Sequence, residues 1–239
     1  MAKRLAVFVE GMTEQLFIQK LLIEVAGRQN ISIDLVEARG KGAARMVTLR
    51  GHSVSNTVYY ALVCDCGADN SVASDIGDNY AGLCNQGYEL VLGLRDVHPE
   101  PDAKIPAIRS AIAKIMPTGT VLAHLVLAVR EIEAWFLVED GHYPAIHPNL
   151  NAALILEKLG LDTASVAAES IATPADTLNL AYQLQGRAYK KSKKHVQRTV
   201  EALDYARLNT ELSARVAALG ELYKHVTSFF GSGVPASSP

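Results

Sequence analysis

The sequence predicts an α/β protein, with a mainly parallel sheet flanked by helices and an all-helical C-terminal part. Three observations predict it. Short apolar runs recur at residues 4–9, 31–36, 58–65, 89–95 and 120–128; each suits a buried strand and is too short for a helix. Segments of helical spacing separate most of these runs, and such alternation requires crossovers between parallel strands. Beyond residue 141 no β-branched run follows. There the spacing is helical, clearest at Val196, Val200, Leu203 and Ala206 and again at Leu212, Val216, Leu219 and Tyr223.

Taken in order, the first run ends at Glu10-Gly11, where helical spacing begins with Phe17, Leu21, Leu22 and Val25. Thr13, followed by Glu14 and Gln15, suits a helix start. After the 31–36 strand, Arg39-Gly40-Lys41-Gly42 reads as a loop, and the next twelve residues show no clear period. The 58–65 strand ends at Asp65, a helix is expected over 71–86, and the 89–95 strand runs into Asp96. A helix over 103–116 accommodates Pro106 in its first turn. A buried strand over 120–128 and a short helix over 131–138 complete an α/β domain spanning 1–140, with Trp135 and Phe136 expected in its core. The Pro-rich stretch His142-Tyr143-Pro144-Ala145-Ile146-His147-Pro148 opens a helical region over 141–230, with His142 and His147 as loop residues. Residues 231–239 are expected to form a flexible tail.

With 239 residues, 49% hydrophobic and 20% charged, the chain can build a substantial core, which excludes a disordered or rod-like protein. No apolar run approaches the roughly 18 residues of a membrane span. The N-terminus lacks the apolar stretch of a signal peptide, and three cysteines cannot form a disulfide framework. A cytoplasmic protein without a membrane partner is expected. Cys64-x-Cys66 has no second pair with which to build a zinc site, and Cys64 is expected to pack in its strand. His124, within an apolar run, reads as structural. No P-loop, dinucleotide fingerprint, H-E-x-x-H or G-x-S-x-G occurs.

The acids are more informative. Ligands of open parallel sheets bind beyond the carboxyl ends of the strands, and three expected strands end on Glu10, Asp65 and Asp96. Gathered carboxylates repel one another unless a cation sits among them, and hard oxygen donors favour Mg²⁺ or Mn²⁺. Strand-end acids also cap helices and face water, so both readings stand at this level.

Val9-Glu10-Gly11-Met12-Thr13-Glu14, set between a strand and a helix, resembles the opening motif of Toprim domains, especially those of the overcoming-lysogenisation-defect nucleases. Toprim domains are shared by topoisomerases, primases and some nucleases. The resemblance implies a Toprim-like, Rossmann-like sheet in which Glu10 and an Asp-x-Asp motif bind Mg²⁺. Leu94-Arg95-Asp96-Val97-His98 occupies the place of that second motif, with His98 where the family has its second Asp. Imidazole is a better ligand for Mn²⁺ or Zn²⁺ than for Mg²⁺; Glu100 or Asp102 would be a substitute oxygen donor. Arg130-Glu131-Ile132-Glu133-Ala134-Trp135 and the later Tyr189-Lys190 are similar to a Toprim-related bacterial family of unassigned function. On this reading Glu10 and Asp96 are catalytic and, with His98, metal candidates; Asp65, with Asp69 four residues on, is a rival metal position for the acidic pair, and chain order favours Asp96, which lies one strand before Glu131. Gly11 permits close backbone approach, and Glu14, Glu131 and Glu133 support the site. Because i and i+2 point apart on a helix, only one of Glu131 and Glu133 is expected to face it.

Six cations and no acid lie between residues 187 and 198 of a chain whose net charge is −2, so the rest of the molecule is acidic. Helical spacing would align Arg187, Lys190, Lys191 and Lys194 on one face. Such a stripe either binds nucleic-acid phosphates or is a solvated helix face, and beside an acidic cleft it would offset repulsion of a polyanion. The expected function is that of a Mg²⁺- or Mn²⁺-dependent nuclease or related phosphoryl-transfer enzyme acting on DNA or RNA. Partners in that setting would be nucleic acid, a second copy of the chain or a protein of a defence system. Two alternatives are a catalytically inactive module that binds nucleic acid or protein, and an enzyme acting on a small phosphorylated metabolite.

Overall fold

The computed structural model describes residues 2–39, 46–67, 71–98 and 100–231, with backbone alone at 38, 39 and 46–50. The α/β part comprises β1 (Lys3–Val9), α1 (Met12–Ala26), β2 (Ile31–Arg39), β3 (Met46–His52), β4 (Tyr59–Asp65), α2 (Val72–Asn85), β5 (Leu90–Asp96), α3 (Ile105–Ile115) and β6 (Leu122–Ala128). The strands form one six-stranded, mostly parallel sheet in the order β3-β2-β4-β1-β5-β6. Central β1 pairs in parallel with β4 and β5, with Val9 opposite Asp65 and Leu94, and β2 joins the far side of β4 in the same direction. Leu5, Ala6, Val7, Phe8 and Val9 are all buried, as a strand covered on both faces requires.

Two strands depart from expectation. β3 lies in the stretch without a clear period and returns antiparallel beside β2, forming one edge of the sheet. It needs no intervening helix, so the strand–helix alternation that marks the other strands is missing. β6, expected to be buried, forms the opposite edge. Only Val126, Leu127 and Ala128 are buried there, while Leu122 is 62% exposed. Arg39 ends β2 instead of opening a loop. Gly40, Lys41, Gly42, Asp69 and residues 232–239 of the expected tail lie outside the described residues.

Helix α1 starts at Met12, one residue before Thr13, and without a side-chain cap. Extended Gly11 is the N-cap, and its carbonyl accepts the Gln15 N–H at 3.0 Å. Thr13, Glu14 and Gln15 are buried. The Gln15 amide donates to the carbonyls of Val36 and Val63, both at 3.0 Å, joining α1 to the carboxyl-terminal halves of β2 and β4. Pro106 sits in the first turn of α3, as expected.

The helical part comprises α4 (Glu133–Val138), a 3₁₀ turn Asp140–His142, α5 (Tyr143–Ile146), α6 (Ala152–Leu159), α7 (Pro174–Gln183), α8 (Lys193–Ala202), α9 (Tyr205–Arg207), a π-helical turn Leu208–Leu212, α10 (Ser213–Arg215) and α11 (Ala217–Phe230). Trp135 and Phe136 are buried, as is Cys64 in β4. His142 corrects the loop expectation. It is buried, with Nδ1 3.2 Å from Glu139 Oε2 and Nε2 2.8 Å from the Tyr182 hydroxyl, which donates to Thr199 Oγ1 at 3.1 Å. His147 does lie in a loop, after α5.

The chain divides into two compact units. The first contains Met1–Arg95, Ala103–Leu127 and Lys224–Pro239; the second contains Asp96–Asp102 and Ala128–Tyr223. The boundary expected near residue 140 therefore falls inside the second unit. In the first, the end of α11 is tied to the sheet: the Tyr59 hydroxyl donates to the Phe230 carbonyl at 2.9 Å, and Lys3 Nζ to that of Phe229 at 3.2 Å. His124 on β6 stacks on His225, ring centroids 4.0 Å apart. Among the described residues, no helix is long and apolar enough to cross a membrane.

Candidate functional site

The candidates fall into two groups, strand-end acids and a cleft in the second unit. β4, β1 and β5 are contiguous parallel strands, and each ends on an acid: Asp65, Glu10 directly after Val9, and Asp96. Asp65 also serves its own turn, accepting the Gly67 N–H at 2.8 Å. Glu10 is buried, and its Oε1 lies 3.6 Å from Arg95 Nε. Glu14 is buried in the first turn of α1. Gly11 does not need to be glycine: its φ of −160° is ordinary extended backbone, and an added Cβ would touch only the Glu14 carboxylate, at 3.4 Å.

Carboxylates at adjoining strand ends are suitable donors for Mg²⁺ or Mn²⁺. Among the described residues, no three His, Cys, Asp or Glu side chains gather into a ligand group. Asp102 is a poor substitute ligand, because Arg130 holds it through Nη1 at 3.1 Å and Nη2 at 3.2 Å.

Within the second unit, a cleft of about 430 Å³ is lined by His98, Glu131, Asn179, Tyr189, Lys190 and Lys191, together with Thr173, Ala175 and Asp176 at the start of α7. His98 comes from the segment after β5, which is anchored by the Val97 N–H to the Ala128 carbonyl at 2.7 Å. Glu131 precedes α4, whereas Glu133 is its first residue. The helical rule that separates i from i+2 therefore does not apply, and one ammonium reaches both carboxylates. Lys191 Nζ is 2.7 Å from Glu131 Oε1 and 3.7 Å from Glu133 Oε1. The other Glu131 oxygen accepts the Ala175 N–H at 3.2 Å, at the N-terminal end of α7 where a helix favours negative charge.

Glu133 has no exposed surface and accepts a hydrogen bond from the Tyr189 hydroxyl at 2.8 Å. Burial pushes its carboxyl above the ordinary range, and Glu131 adds to the rise; Lys191 and the Tyr189 hydrogen bond oppose it. Among the described residues, Glu133 Oε2 has no hydrogen-bond partner. A buried oxygen of this kind requires a functional or solvent explanation.

The basic residues do not form the expected helical stripe. Gly186, at φ +65°, follows the end of α7, and α8 begins only at Lys193. Arg187, Lys190 and Lys191 therefore lie in a connecting segment, shaped by the Tyr189 N–H donating to Asn179 Oδ1 at 3.0 Å. Lys194 belongs to α8, where Lys193, Lys194, Gln197, Arg198 and Glu201 line a groove of about 540 Å³. Arg187, Lys190, Lys191 and Lys194 are all exposed. Sequence reasoning missed Thr173, Asp176 and Asn179. Thr173-Pro174 signals a helix start, but nothing in it indicates a cleft. Comparison with family models, curated proteins and solved structures returned no match.

Proposed function

We propose that the chain is a Mg²⁺- or Mn²⁺-dependent phosphoryl-transfer enzyme that cleaves nucleic acid, with a Toprim-like sheet as its scaffold. The observation that carries this reading is the cleft, where His98, Glu131 and the Tyr189-Lys190-Lys191 segment meet from three separate stretches of sequence. The three contiguous strands ending on acids support it.

Asp96 and His98 are the proposed metal-holding residues of the second unit, and Glu10 and Asp65 those of the first. A bound divalent ion would supply charge neutralisation at the phosphoryl oxygens and a more acidic water. Lys190 and Lys191 neutralise phosphate in the cleft, while Arg187 and Lys194 extend the positive surface along the polymer.

The test is incubation with plasmid DNA and with structured RNA, with Mg²⁺, with Mn²⁺ and with chelator. Metal-dependent cleavage of either polymer, abolished by Glu10→Gln and by Asp96→Asn, is the expected result. Cleavage that survives both substitutions overturns the reading. The Arg95 guanidinium facing Glu10 favours a second reading, a module that binds nucleic acid without cutting it. Metal-independent binding with no cleavage would establish that alternative.

A further inference from the structure

The second-unit cleft is rich in hydrogen-bond donors. Lys190 and Lys191 contribute ammonium groups, and Thr173 a hydroxyl. Asn179 uses Oδ1 on the Tyr189 N–H, which leaves its NH₂ group as a donor. The principal acid of the wall, Glu131, accepts the Ala175 N–H at the N-terminal end of α7, a contact that does not depend on Lys191. Asp176 lies in the first turn of α7, where the helix offsets its charge. A cleft of this size and polarity suits a small oxyanion or a nucleotide-sized group.

Lys191 has two roles available. Its side chain is about half exposed, yet it is the counter-ion of a carboxylate with no exposure. If the ammonium swings to an incoming anion, Glu133 loses its nearest cation, and a buried carboxylate in that position takes a proton instead of remaining charged. The charged and titratable groups acting on Glu133 are Lys191 and Tyr189 from the 187–192 segment and Glu131 from the turn before α4.

We propose that the cleft binds one phosphate group, that Lys191 moves from the Glu131–Glu133 pair to that phosphate, and that Glu133 takes up one proton from solvent in exchange. The proton forms an O–H bond on the Glu133 carboxyl, so the charge removed with Lys191 is balanced. The assignment of nucleic acid as the source of the phosphate rests on the function proposed above; the binding and the proton exchange do not.

Calorimetry without metal, in two buffers of different ionisation enthalpy, tests the proposal. The probes are inorganic phosphate, a 5′-phosphorylated dinucleotide and the same dinucleotide lacking that phosphate. Both phosphate-bearing probes are expected to bind, with the unphosphorylated dinucleotide weaker by about tenfold or more, the scale of a hydrogen bond to a charged group. Wild type should take up more protons than Glu133→Gln on binding the same probe, and Lys191→Met should weaken binding by about tenfold or more. If Lys191→Met does not fold, Glu133→Gln/Lys191→Met removes the uncompensated buried charge and must show the same loss.

Equal binding of the two dinucleotides, or equal proton uptake by wild type and Glu133→Gln, overturns the proposal. Binding of inorganic phosphate without the phosphorylated dinucleotide overturns the nucleic-acid source. Phosphate binding and proton exchange in a protein that never cleaves nucleic acid would support this inference while refuting the nuclease reading. Cleavage by a protein whose cleft binds no phosphate would do the reverse.

Discussion

The Tyr189 phenol donates a 2.8 Å hydrogen bond to Glu133, joining residues 56 positions apart at a carboxyl group with no solvent exposure. This hydrogen bond fixes the irregular segment before α8 against the first residue of α4. Lys191 is thereby held beside both Glu131 and Glu133.

Glu133 gives stability a characteristic pH dependence. Its folded-state value is raised above the ordinary 4.5, chiefly by burial, so the folded state binds more protons in the window between the two. The stabilising contribution is full below the ordinary value and is lost as pH rises through the raised one. Denaturant midpoints followed upward from the ordinary carboxylate range should show Glu133→Gln gaining on wild type as pH rises. Parallel curves would contradict the assignment.

Tyr189→Phe removes a donor from a buried carboxyl group and should cost about 1–3 kcal/mol in urea unfolding. In the Glu133→Gln background the cost should be smaller, because a neutral amide depends less on that donor. A double-mutant cycle measures the difference, and additivity would show that the two side chains do not act together.

The His142 network predicts a larger penalty. His142→Ala removes a buried ring that meets both Glu139 and the Tyr182 hydroxyl, leaving polar groups unsatisfied in the second unit's core. A loss of about 2–4 kcal/mol is expected from unsatisfied buried groups and the cavity together, read by thermal or denaturant unfolding. An unchanged midpoint would make the network incidental.

Salt dependence tests the exposed cations. Neutralising Lys190 or Lys194 should lower the slope of log affinity against log salt for DNA by about 1 for each phosphate that the protein no longer neutralises. The effect should be uniform across sequences, since phosphates carry no base information. Fluorescence anisotropy at several salt concentrations reads it, and an unchanged slope would remove these lysines from the interface.

Much of the sheet was legible because parallel strands covered on both faces must be continuously apolar. Runs such as Leu5-Ala6-Val7-Phe8-Val9 announce themselves, as do the acids that terminate them. β3 was not legible: an antiparallel edge strand needs neither a continuous apolar run nor a crossover helix. The acids Glu131 and Glu133 were visible, but their joint approach to Lys191 was not. It depends on α4 starting at Glu133, two residues later than the helix expected over 131–138. The basic run was legible as charge and misread as shape, because Gly186 and the Asn179 hydrogen bond keep residues 187–192 out of a helix. The burial of His142 was not legible for a related reason: the Tyr182 hydroxyl that meets its Nε2 lies 40 residues away in sequence, and a histidine beside prolines carries no local sign of it.

In the function proposed above, the second-unit cleft handles the phosphate of a nucleic acid that the chain cleaves. Its most direct test is the initial rate of Mn²⁺-supported cleavage by wild type, Lys191→Met and His98→Ala, each verified as folded. Losses of about a hundredfold in both variants, the scale of removing a group that stabilises transition-state charge, are predicted. A wild-type rate in both variants, or a wild-type protein that cuts neither DNA nor RNA, would contradict it.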